Sequence, residues 1–273
     1  MQVIEGHGAR IPSPGFGTMT LKEDLCIELV EAALHLGYRH LDTAQMYGNE
    51  REVGEGLRRS GVKREDVFVT TKVWFSRLAP GDFERSVDES LQRLALPFVD
   101  LLLIHWPNAQ IPLAQSIASL CKVKRGGLTR HIGVANFNIA MLDEAVALAN
   151  EPLASLQIET HPYLDQTKVL AAARRHGMAV VGYCPLARGK VPGDPVLQRI
   201  GRAHGKSAAQ AALRFLEQQD IAPIPRSSKR ERLAENLASA EFQLSEAEMA
   251  EIAALKRPNS RIVSPPQAPP WDS

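Results

Sequence analysis

Short apolar runs rich in β-branched residues recur along the chain and alternate with stretches of helical periodicity. Such runs, without regular polar alternation, are typical of strands buried on both faces of a parallel sheet. The pattern predicts eight strands, one near residues 15–17 and the others at 38–42, 67–71, 99–104, 131–134, 156–159, 179–183 and 221–224. Between them, apolar side chains recur at helical spacing, as in 25–36 and 83–94, which predicts crossover helices.

Eight strand–helix repeats favour one closed architecture. The strand starts are about 25 to 40 residues apart, which suits a β/α unit, and eight such units favour closure into a barrel over an open sheet. We therefore predict an α/β fold, a (β/α)8 barrel of the TIM type, formed by a single domain over residues 1–273.

The two ends of the chain depart from the repeat. The first dozen residues, with Gly6 and Gly8 between short alternating stretches, predict a small hairpin that precedes the barrel. From Arg257 onward the chain contains five prolines, so that an irregular tail is expected there.

One helix carries local signals at both of its ends. Asp165 is suited to open the segment that runs to His176, and Gly177 follows where a left-handed residue would end a helix.

Composition and charge narrow the class of protein. Apolar residues at 44% and charged residues at 23% are ordinary globular usage, and the net charge of +1 is spread along the chain. We therefore expect neither nucleic acid nor a membrane as a partner. The three cysteines show no paired or metal-type spacing, which favours a reducing compartment and no metal site. Because no secretory leader or long apolar stretch is found, we expect a cytoplasmic protein. We also expect a monomer.

Polar residues at the C-terminal ends of barrel strands converge on one mouth, where active sites of this fold lie. The residues selected in this way are Asp42, Tyr47, Lys72, Trp74, His105, Trp106, Asn136, Gln157, Tyr183 and the run Arg226-Ser227-Ser228. A semi-buried lysine is tolerated opposite a carboxylate, and a cation beside a tyrosine lowers the tyrosine pKa toward a range useful for proton transfer. Tyr47 is thus a candidate proton donor assisted by Lys72 and Asp42.

Each of these residues also has an ordinary structural explanation. Asp42 before Thr43 could cap the next loop, Lys72 could be a solvated strand end, and His105 could be a core histidine whose hydrogen bonds are satisfied. Asp42, Lys72 and His105 nevertheless converge with Tyr47 on one rim, which favours the functional interpretation.

Five ordered motifs extend over nearly the whole chain: GYRHLDTAQMYGNE from Gly37, TKVW from Thr71, DLLLIHWP from Asp100, IGVANF from Ile132 and QIETHPY from Gln157. With these motifs the sequence resembles the aldo-keto reductases, and most of all the bacterial members of the 2,5-diketo-D-gluconate reductase type. The resemblance implies a catalytic tetrad of Asp42, Tyr47, Lys72 and His105, the same four residues that the barrel rim selects. It also implies reduction of a carbonyl by nicotinamide hydride.

The resemblance implies NADPH laid across the barrel mouth, since no glycine-rich dinucleotide fingerprint is present. The matching cofactor positions are Thr18, Asp42, Asn136, Gln157, Tyr183, Leu186, Arg226, Ser227, Arg232, Glu235 and Asn236. Among them Asn136 and Gln157 are expected to bind the carboxamide and Tyr183 to stack on nicotinamide. Arg226, Ser227 and Arg232 suit the adenosine 2′-phosphate, although on composition alone this basic run could equally be a solvated helix end.

The chain departs from the family pattern at several cofactor positions. Arg226 stands where many members have lysine, and Ala135 replaces a serine that commonly precedes the asparagine. Cys184 and Arg188 stand where serines are frequent, which puts individual pyrophosphate contacts in doubt.

Met19, Trp74, His105 and Trp106 are expected to surround the substrate carbonyl. Short loops after Pro107 and Arg257 favour small aldehydes, ketoaldehydes such as methylglyoxal, or keto-sugar acids such as 2,5-diketo-D-gluconate over steroids. Two alternatives stay open. One is an NADPH-binding regulatory or interaction barrel with little turnover, and the other is a sugar or polyol dehydrogenase that works oxidatively.

Overall fold

The computed structural model of the protein describes residues 2–272. It begins with the predicted hairpin, in which β1 (Gln2–Gly6) pairs antiparallel with β2 (Ala9–Ser13). The two turn residues, His7 and Gly8, have φ of 43° and 83°. Two consecutive positive φ values match the right-handed twist of the flanking strands, which explains why glycine follows histidine here.

Eight parallel strands follow in sequence order around the sheet, which confirms the predicted barrel. They are β3 (Phe16–Gly17), β4 (His40–Asp42), β5 (Phe68–Val73), β6 (Val99–Ile104), β7 (Thr129–Ala135), β8 (Leu153–Glu159), β9 (Ala179–Tyr183) and β10 (Ile221–Pro223). Gly15 N donates to Pro223 O at 2.9 Å and Gly17 N to Pro225 O at 3.2 Å, so that β3 meets the end of the last strand. Gly17 is required there because a Cβ atom would lie 2.8 Å from Ile224 O.

Helices cover the outside of the barrel, eight of them between consecutive strands and two after the last strand. They are α1 (Glu23–Leu36), α2 (Glu50–Arg59), α3 (Asp82–Leu94), α4 (Leu113–Arg125), α5 (Ile139–Leu148), α6 (Thr167–Arg175), α7 (Pro195–Ala203), α8 (Ala208–Glu217), α9 (Arg230–Leu237) and α10 (Glu246–Ala253). The unit after β9 carries both α7 and α8. One-turn 3-10 helices lie in several loops, including Gln45–Tyr47 after β4.

Several predicted boundaries were wrong by a few residues, and side-chain contacts accompany two of these shifts. The strand expected from Tyr38 begins at His40, because the Tyr38 hydroxyl turns outward to Leu233 O, 3.0 Å away. The helix expected from Asp165 begins at Thr167, because the Asp165 carboxylate accepts from both the backbone and the hydroxyl of Thr167 in a local turn. The helix end was predicted correctly, since Gly177 has φ of 64°.

The core has an outer layer between strands and helices and a smaller cluster inside the barrel. Ile4 and Ile11 of the hairpin join Leu101 and Val181 in the inner cluster, so that the hairpin closes the N-terminal end of the barrel. The opposite end, where the strands terminate, is therefore the end available to ligands. Among residues 2–272, no helix combines the length and the apolar character needed to cross a membrane.

The tail follows an irregular path, as predicted. From residue 258 to residue 272 it contains no helix or strand. It is held instead by single hydrogen bonds: Arg257 N donates to Tyr163 O, and Ile262 N and Val263 N donate to the carboxylate of Glu159, which ends β8.

Candidate active site

The four predicted tetrad residues reach the barrel mouth from three neighbouring strands. Asp42 is the last residue of β4, and Tyr47 ends the one-turn helix that follows. Lys72 lies near the end of β5, and His105 comes directly after β6. Their convergence follows from parallel pairing, which brings the carboxyl ends of adjacent strands to the same rim.

Lys72 is the centre of this cluster. Its side chain is fully buried, and Nζ lies 2.5 Å from Asp42 Oδ1, 2.8 Å from Thr43 O and 3.4 Å from the Tyr47 hydroxyl. The idea that Lys72 is a solvated strand end is therefore wrong. A buried ammonium is tolerated because a carboxylate and a carbonyl replace its hydration.

Two aromatic side chains pack against His105 at the mouth. The Tyr47 ring meets the imidazole edge to face with centroids 5.7 Å apart, and the Trp74 indole does so at 5.2 Å. Among residues 2–272, Nδ1 of His105 is a buried nitrogen without a hydrogen-bond partner.

Burial controls the protonation of the cluster. It raises the pKa of Tyr47 well above the ordinary value, with Asp42 and Tyr183 adding to the effect. This direction is opposite to the one predicted from sequence, because desolvation of the phenol is the largest effect and the nearby Asp42 carboxylate adds to it. Burial also lowers the pKa of His105, reinforced by Lys72. Tyr47 therefore carries its proton at neutral pH, and His105 is neutral.

Burial also lowers the pKa of Lys72, while Asp42 and then Glu50 act in the opposite direction. Glu50 is itself buried, and it accepts from Thr71 Oγ1 at 2.6 Å and from Arg93 Nε at 2.8 Å. The lysine thus lies in a low-dielectric site bounded by two carboxylates.

The amide residues predicted to bind the carboxamide lie beside the tetrad. Gln157 Nε2 donates to Asp42 Oδ2 at 2.8 Å, and Asn136 Nδ2 donates to His105 O at 2.9 Å. The Tyr183 hydroxyl donates to Asn136 Oδ1 at 2.6 Å. Asn136 has φ of 62°, a conformation that asparagine tolerates better than most residues. These contacts fix the amides at the mouth before any ligand binds.

The loop after β3 borders the same mouth. Thr18 is buried, and its hydroxyl donates to Asp42 O at 2.9 Å. The backbone oxygen of the following residue, Met19, accepts from Arg226 Nε at 3.3 Å, and the Met19 side chain is largely exposed. Leu186, after β9, packs against the outer core.

The residues predicted to hold the 2′-phosphate lie away from the tetrad, at the start of α9 and just before it. Arg226 is exposed, and Ser227 is buried with its hydroxyl 3.0 Å from Lys229 N. Arg232 and Glu235 form an ion pair at 3.4 Å and line a cavity of about 300 Å³ together with residues between 192 and 209. Asn236 is buried beside them on α9. Two guanidinium groups and a hydroxyl near a helix start suit a dianion.

Some residues of the mouth were missed by sequence reasoning. Trp271 of the tail packs against Trp106 with ring centroids 6.0 Å apart. Asn49 is fully buried, and its amide donates to Thr18 O and Leu21 O while accepting from Thr43. An aromatic residue within a proline-rich tail was the available signal for Trp271. Asn49 belongs to the motif that begins at Gly37. Its contacts are with residues of a distant loop, and the motif does not indicate them.

A family model described as the aldo/keto reductase family matches residues 15–257. The chain belongs to the aldo/keto reductase family. A methylglyoxal reductase, DkgB, of Escherichia coli O157:H7 is 42% identical over 96% of this chain and 99% of its own length. A morphine 6-dehydrogenase of Pseudomonas putida is 39% identical over 90% of this chain and 88% of its own length.

Solved aldo/keto reductase structures agree with the fold in detail. A crystal structure described as a candidate 2,5-diketo-D-gluconic acid reductase B superposes with a TM-score of 0.98 at 49% identity, covering 100% of this chain and 98% of that one. A Bombyx mori aldo-keto reductase in complex with NADP superposes with a TM-score of 0.86 at 32% identity, covering 94% and 92%. This aldo/keto reductase is thus an NADP-dependent oxidoreductase, as the sequence predicted.

Proposed function

We propose that this aldo/keto reductase uses NADPH to reduce small aldehydes and ketones, with Tyr47 as the proton donor. The observation that carries the proposal is the buried cluster in which Lys72 lies between Asp42 and the Tyr47 hydroxyl. A phenol that holds its proton at neutral pH and packs against a neutral histidine is suited to protonate a carbonyl oxygen.

Four side chains of the protein have separate roles in proton transfer. Bound NADPH supplies hydride to the carbonyl carbon. The Tyr47 hydroxyl gives its proton to the oxygen, and Lys72 stabilises the phenolate that remains. Asp42 keeps Lys72 charged and in place, and His105 orients the oxygen. Because phenolate forms beside an existing ammonium, the barrier to proton transfer falls although the resting pKa of Tyr47 is high.

The residues at the mouth fit the cofactor at both of its ends. Asn136 and Gln157 offer amide groups, and Tyr183 offers a ring face for nicotinamide. Arg226, Ser227 and Arg232 supply charge and hydrogen bonds for the 2′-phosphate, and Glu235 and Asn236 would contact the adenosine. Thr18 and Leu186 would border the cofactor between these ends.

The substrates we propose are methylglyoxal and keto-sugar acids such as 2,5-diketo-D-gluconate. Relatives carry names for both activities. Trp74 and Trp106 would form an apolar wall beside His105, with Met19 on the cofactor side.

The test is NADPH consumption by the purified protein with methylglyoxal, 2,5-diketo-D-gluconate and glyceraldehyde, each measured as kcat/KM. We expect saturable turnover of at least one substrate and a clear preference for NADPH over NADH. Tight NADPH binding without turnover of any carbonyl would instead support a regulatory barrel.

A second candidate is oxidation of a secondary alcohol with NADP+, because the relative from Pseudomonas putida is named a dehydrogenase. The same residues serve both directions, with Tyr47 phenolate then acting as the base. Measuring kcat/KM for each substrate and its alcohol product at pH 7 would assign the direction. Faster oxidation under those conditions would favour this candidate.

A further inference from the structure

The segment that carries Tyr47 is fixed to the same two neighbouring elements on either side of the tyrosine. On the N-terminal side, Gln45 Nε2 donates to the Ser90 hydroxyl of α3 at 3.0 Å. Gln45 Oε1 accepts from Trp74 N, just after β5, at 3.0 Å. On the C-terminal side, Glu50 begins α2 and contacts both β5 and α3. The position of the phenol therefore depends on contacts at both ends of this segment.

Glu50 is a buried carboxylate whose two oxygens face different elements. The residue is 1% exposed. Oε1 accepts from the Thr71 hydroxyl of β5 at 2.6 Å, and Thr71 directly precedes Lys72. Oε2 accepts from Arg93 Nε of α3 at 2.8 Å and lies 2.7 Å from Arg93 Nη2. One carboxylate thus joins the segment of Tyr47 to the strand of Lys72 and to a cation on α3.

The charge of Glu50 acts on the ammonium group of Lys72. Burial lowers the pKa of Lys72, and Asp42 and then Glu50 oppose this effect. Asp42 does so at hydrogen-bonding distance, whereas Glu50 acts through space. The Arg93 side chain is 37% exposed, so that water screens its charge and it offsets the buried carboxylate only in part. Net negative charge therefore remains near Lys72.

Other titratable groups surround this pair of charges. The groups that face Lys72 from elements other than α2 are His40, Asp42, Tyr47 and His105. Glu50 is faced from α3 by Arg93 and, behind it, by Glu89, whose carboxylate is 3.8 Å from Arg93 Nη1. Because Glu50 and Arg93 belong to helices outside the barrel, their charges can be changed while the hydrogen bonds of Lys72 are kept.

We propose that Glu50 is a positioning residue for the proton transfer from Tyr47, acting through Lys72. Arg93 limits the effect of Glu50 by offsetting part of its charge. The inference rests on the proposed reductase function. The bond of Glu50 to Thr71 holds the segment of Tyr47 against β5, and its negative charge keeps Lys72 an ammonium. That ammonium stabilises the phenolate left when Tyr47 gives up its proton. Turnover should therefore cease when Lys72 loses its proton, at a pH that Glu50 raises and Arg93 lowers.

The experiment measures kcat/KM at saturating NADPH across the neutral and alkaline pH range. The substrate is methylglyoxal or glyceraldehyde, whichever is turned over faster, since neither carries an ionisable group. The pH at which kcat/KM falls to half does not depend on the fraction of active protein. In Glu50→Gln, which keeps an acceptor for Thr71 but removes the charge, we expect this pH to fall by about one unit, because two buried charges are weakly screened. In Arg93→Gln, which leaves the carboxylate without its cation, we expect a smaller rise.

Glu89→Gln is the matched control, since the Glu89 side chain is 45% exposed and lies near the same arginine. It should leave the half-activity pH unchanged. A purely structural role would lower kcat/KM in Glu50→Gln and Arg93→Gln without opposite shifts of that pH, and this result would overturn the proposal. An equal shift in Glu89→Gln would do so too.

If Glu50→Gln does not fold, a rise of the half-activity pH in Arg93→Gln still supports the role of Glu50, and an unchanged pH overturns it. Turnover of neither aldehyde by the unmodified protein would contradict the proposed function itself, and the role of Glu50 with it.

Discussion

Lys72, at the catalytic end of the proposed cofactor site, is fully buried and has three oxygen atoms around its ammonium group. Arg232, at the phosphate end, is half exposed and pairs with Glu235 of its own helix. The fold fixes the position of the Lys72 ammonium group. The Arg232 guanidinium keeps the conformational freedom of a surface side chain. Catalysis needs fixed dipoles where charge develops, and phosphate binding can order its ligands on arrival. Changes at the two ends should therefore differ in size and in sensitivity to salt.

The largest effect is expected for Tyr47→Phe. Loss of the proton donor should lower kcat by about 10² to 10⁴, because general acid catalysis contributes this much in positioned sites. The measurement is single-turnover NADPH oxidation with methylglyoxal. NADPH affinity, measured by quenching of protein fluorescence, should be retained and serves as the control. A near-normal kcat would show that the buried cluster does not donate the proton.

Lys72→Met should damage stability as well as rate. It leaves the Asp42 carboxylate buried without its ammonium, which costs about 3–5 kcal/mol. Urea unfolding gives the value, and the double variant Asp42→Asn/Lys72→Met should recover much of the lost stability. If the single variant were as stable as the unmodified protein, the ion pair between Lys72 and Asp42 would not stabilise the fold.

Glu217, the last residue of α8, tests a buried carboxyl outside the Lys72 cluster. It is fully buried, its nearest cation is Arg214 at 3.8 Å, and burial raises its pKa from 4.5 to about 7. The folded state thus holds the proton to a higher pH than the unfolded chain, and the protein loses stability between about pH 4.5 and 7. Glu217→Gln removes this loss. Relative to the unmodified protein it should gain roughly 3 kcal/mol of stability from pH 4.5 to pH 8, at about 1.4 kcal/mol per pKa unit.

Urea unfolding at several pH values measures this gain, with the exposed Glu231→Gln as the matched control. A difference that does not change with pH would mean that Glu217 is ionised normally in the folded protein. Asp42, by contrast, has Lys72 within hydrogen-bonding distance. Asp42 is thus a buried carboxylate with a close cation, and Glu217 is one whose cation is distant.

The smallest effect is expected for Arg232→Ala. It should weaken NADPH binding about ten- to a hundredfold, through the loss of charge-assisted hydrogen bonds, and leave NADH binding nearly unchanged. Because the site is exposed, the difference should shrink as salt is raised. Isothermal titration with both cofactors measures it. Arg230→Ala, which removes a guanidinium on the same helix beside a different cavity, is the control. Equal losses of affinity for NADPH and NADH would show that Arg232 does not bind the 2′-phosphate.

The sequence revealed much of the catalytic end because the relevant information is local. Asp42, Lys72 and His105 each follow or end an apolar run, and parallel strands bring such positions to one rim. The pKa of Tyr47 was mispredicted because it depends on the depth of burial and on the closeness of the Asp42 carboxylate. Neither quantity can be read from spacing.

The contacts of the tail, by contrast, could not be predicted from the sequence. Prolines correctly predicted an irregular path, but nothing local indicated that Trp271 would reach Trp106 or that Arg261 would stack on Trp271. These contacts join segments that are far apart in sequence, and turn signals or periodicity carry no information about them. For the same reason the buried contacts of Asn49 with Thr18 and Leu21 became visible only in the folded protein.

The pairing of β3 with the end of β10 also has a consequence for biosynthesis. The two hydrogen bonds from Gly15 and Gly17 join the first barrel strand to Pro223 and Pro225, about four-fifths of the way along the chain. Until Pro223 and Pro225 have left the ribosome, the edge of β3 has no partner on that side. Contacts between such distant segments form late and slowly, and unpaired strand edges promote aggregation. A nascent chain arrested before Ile221 is therefore a natural substrate for chaperones.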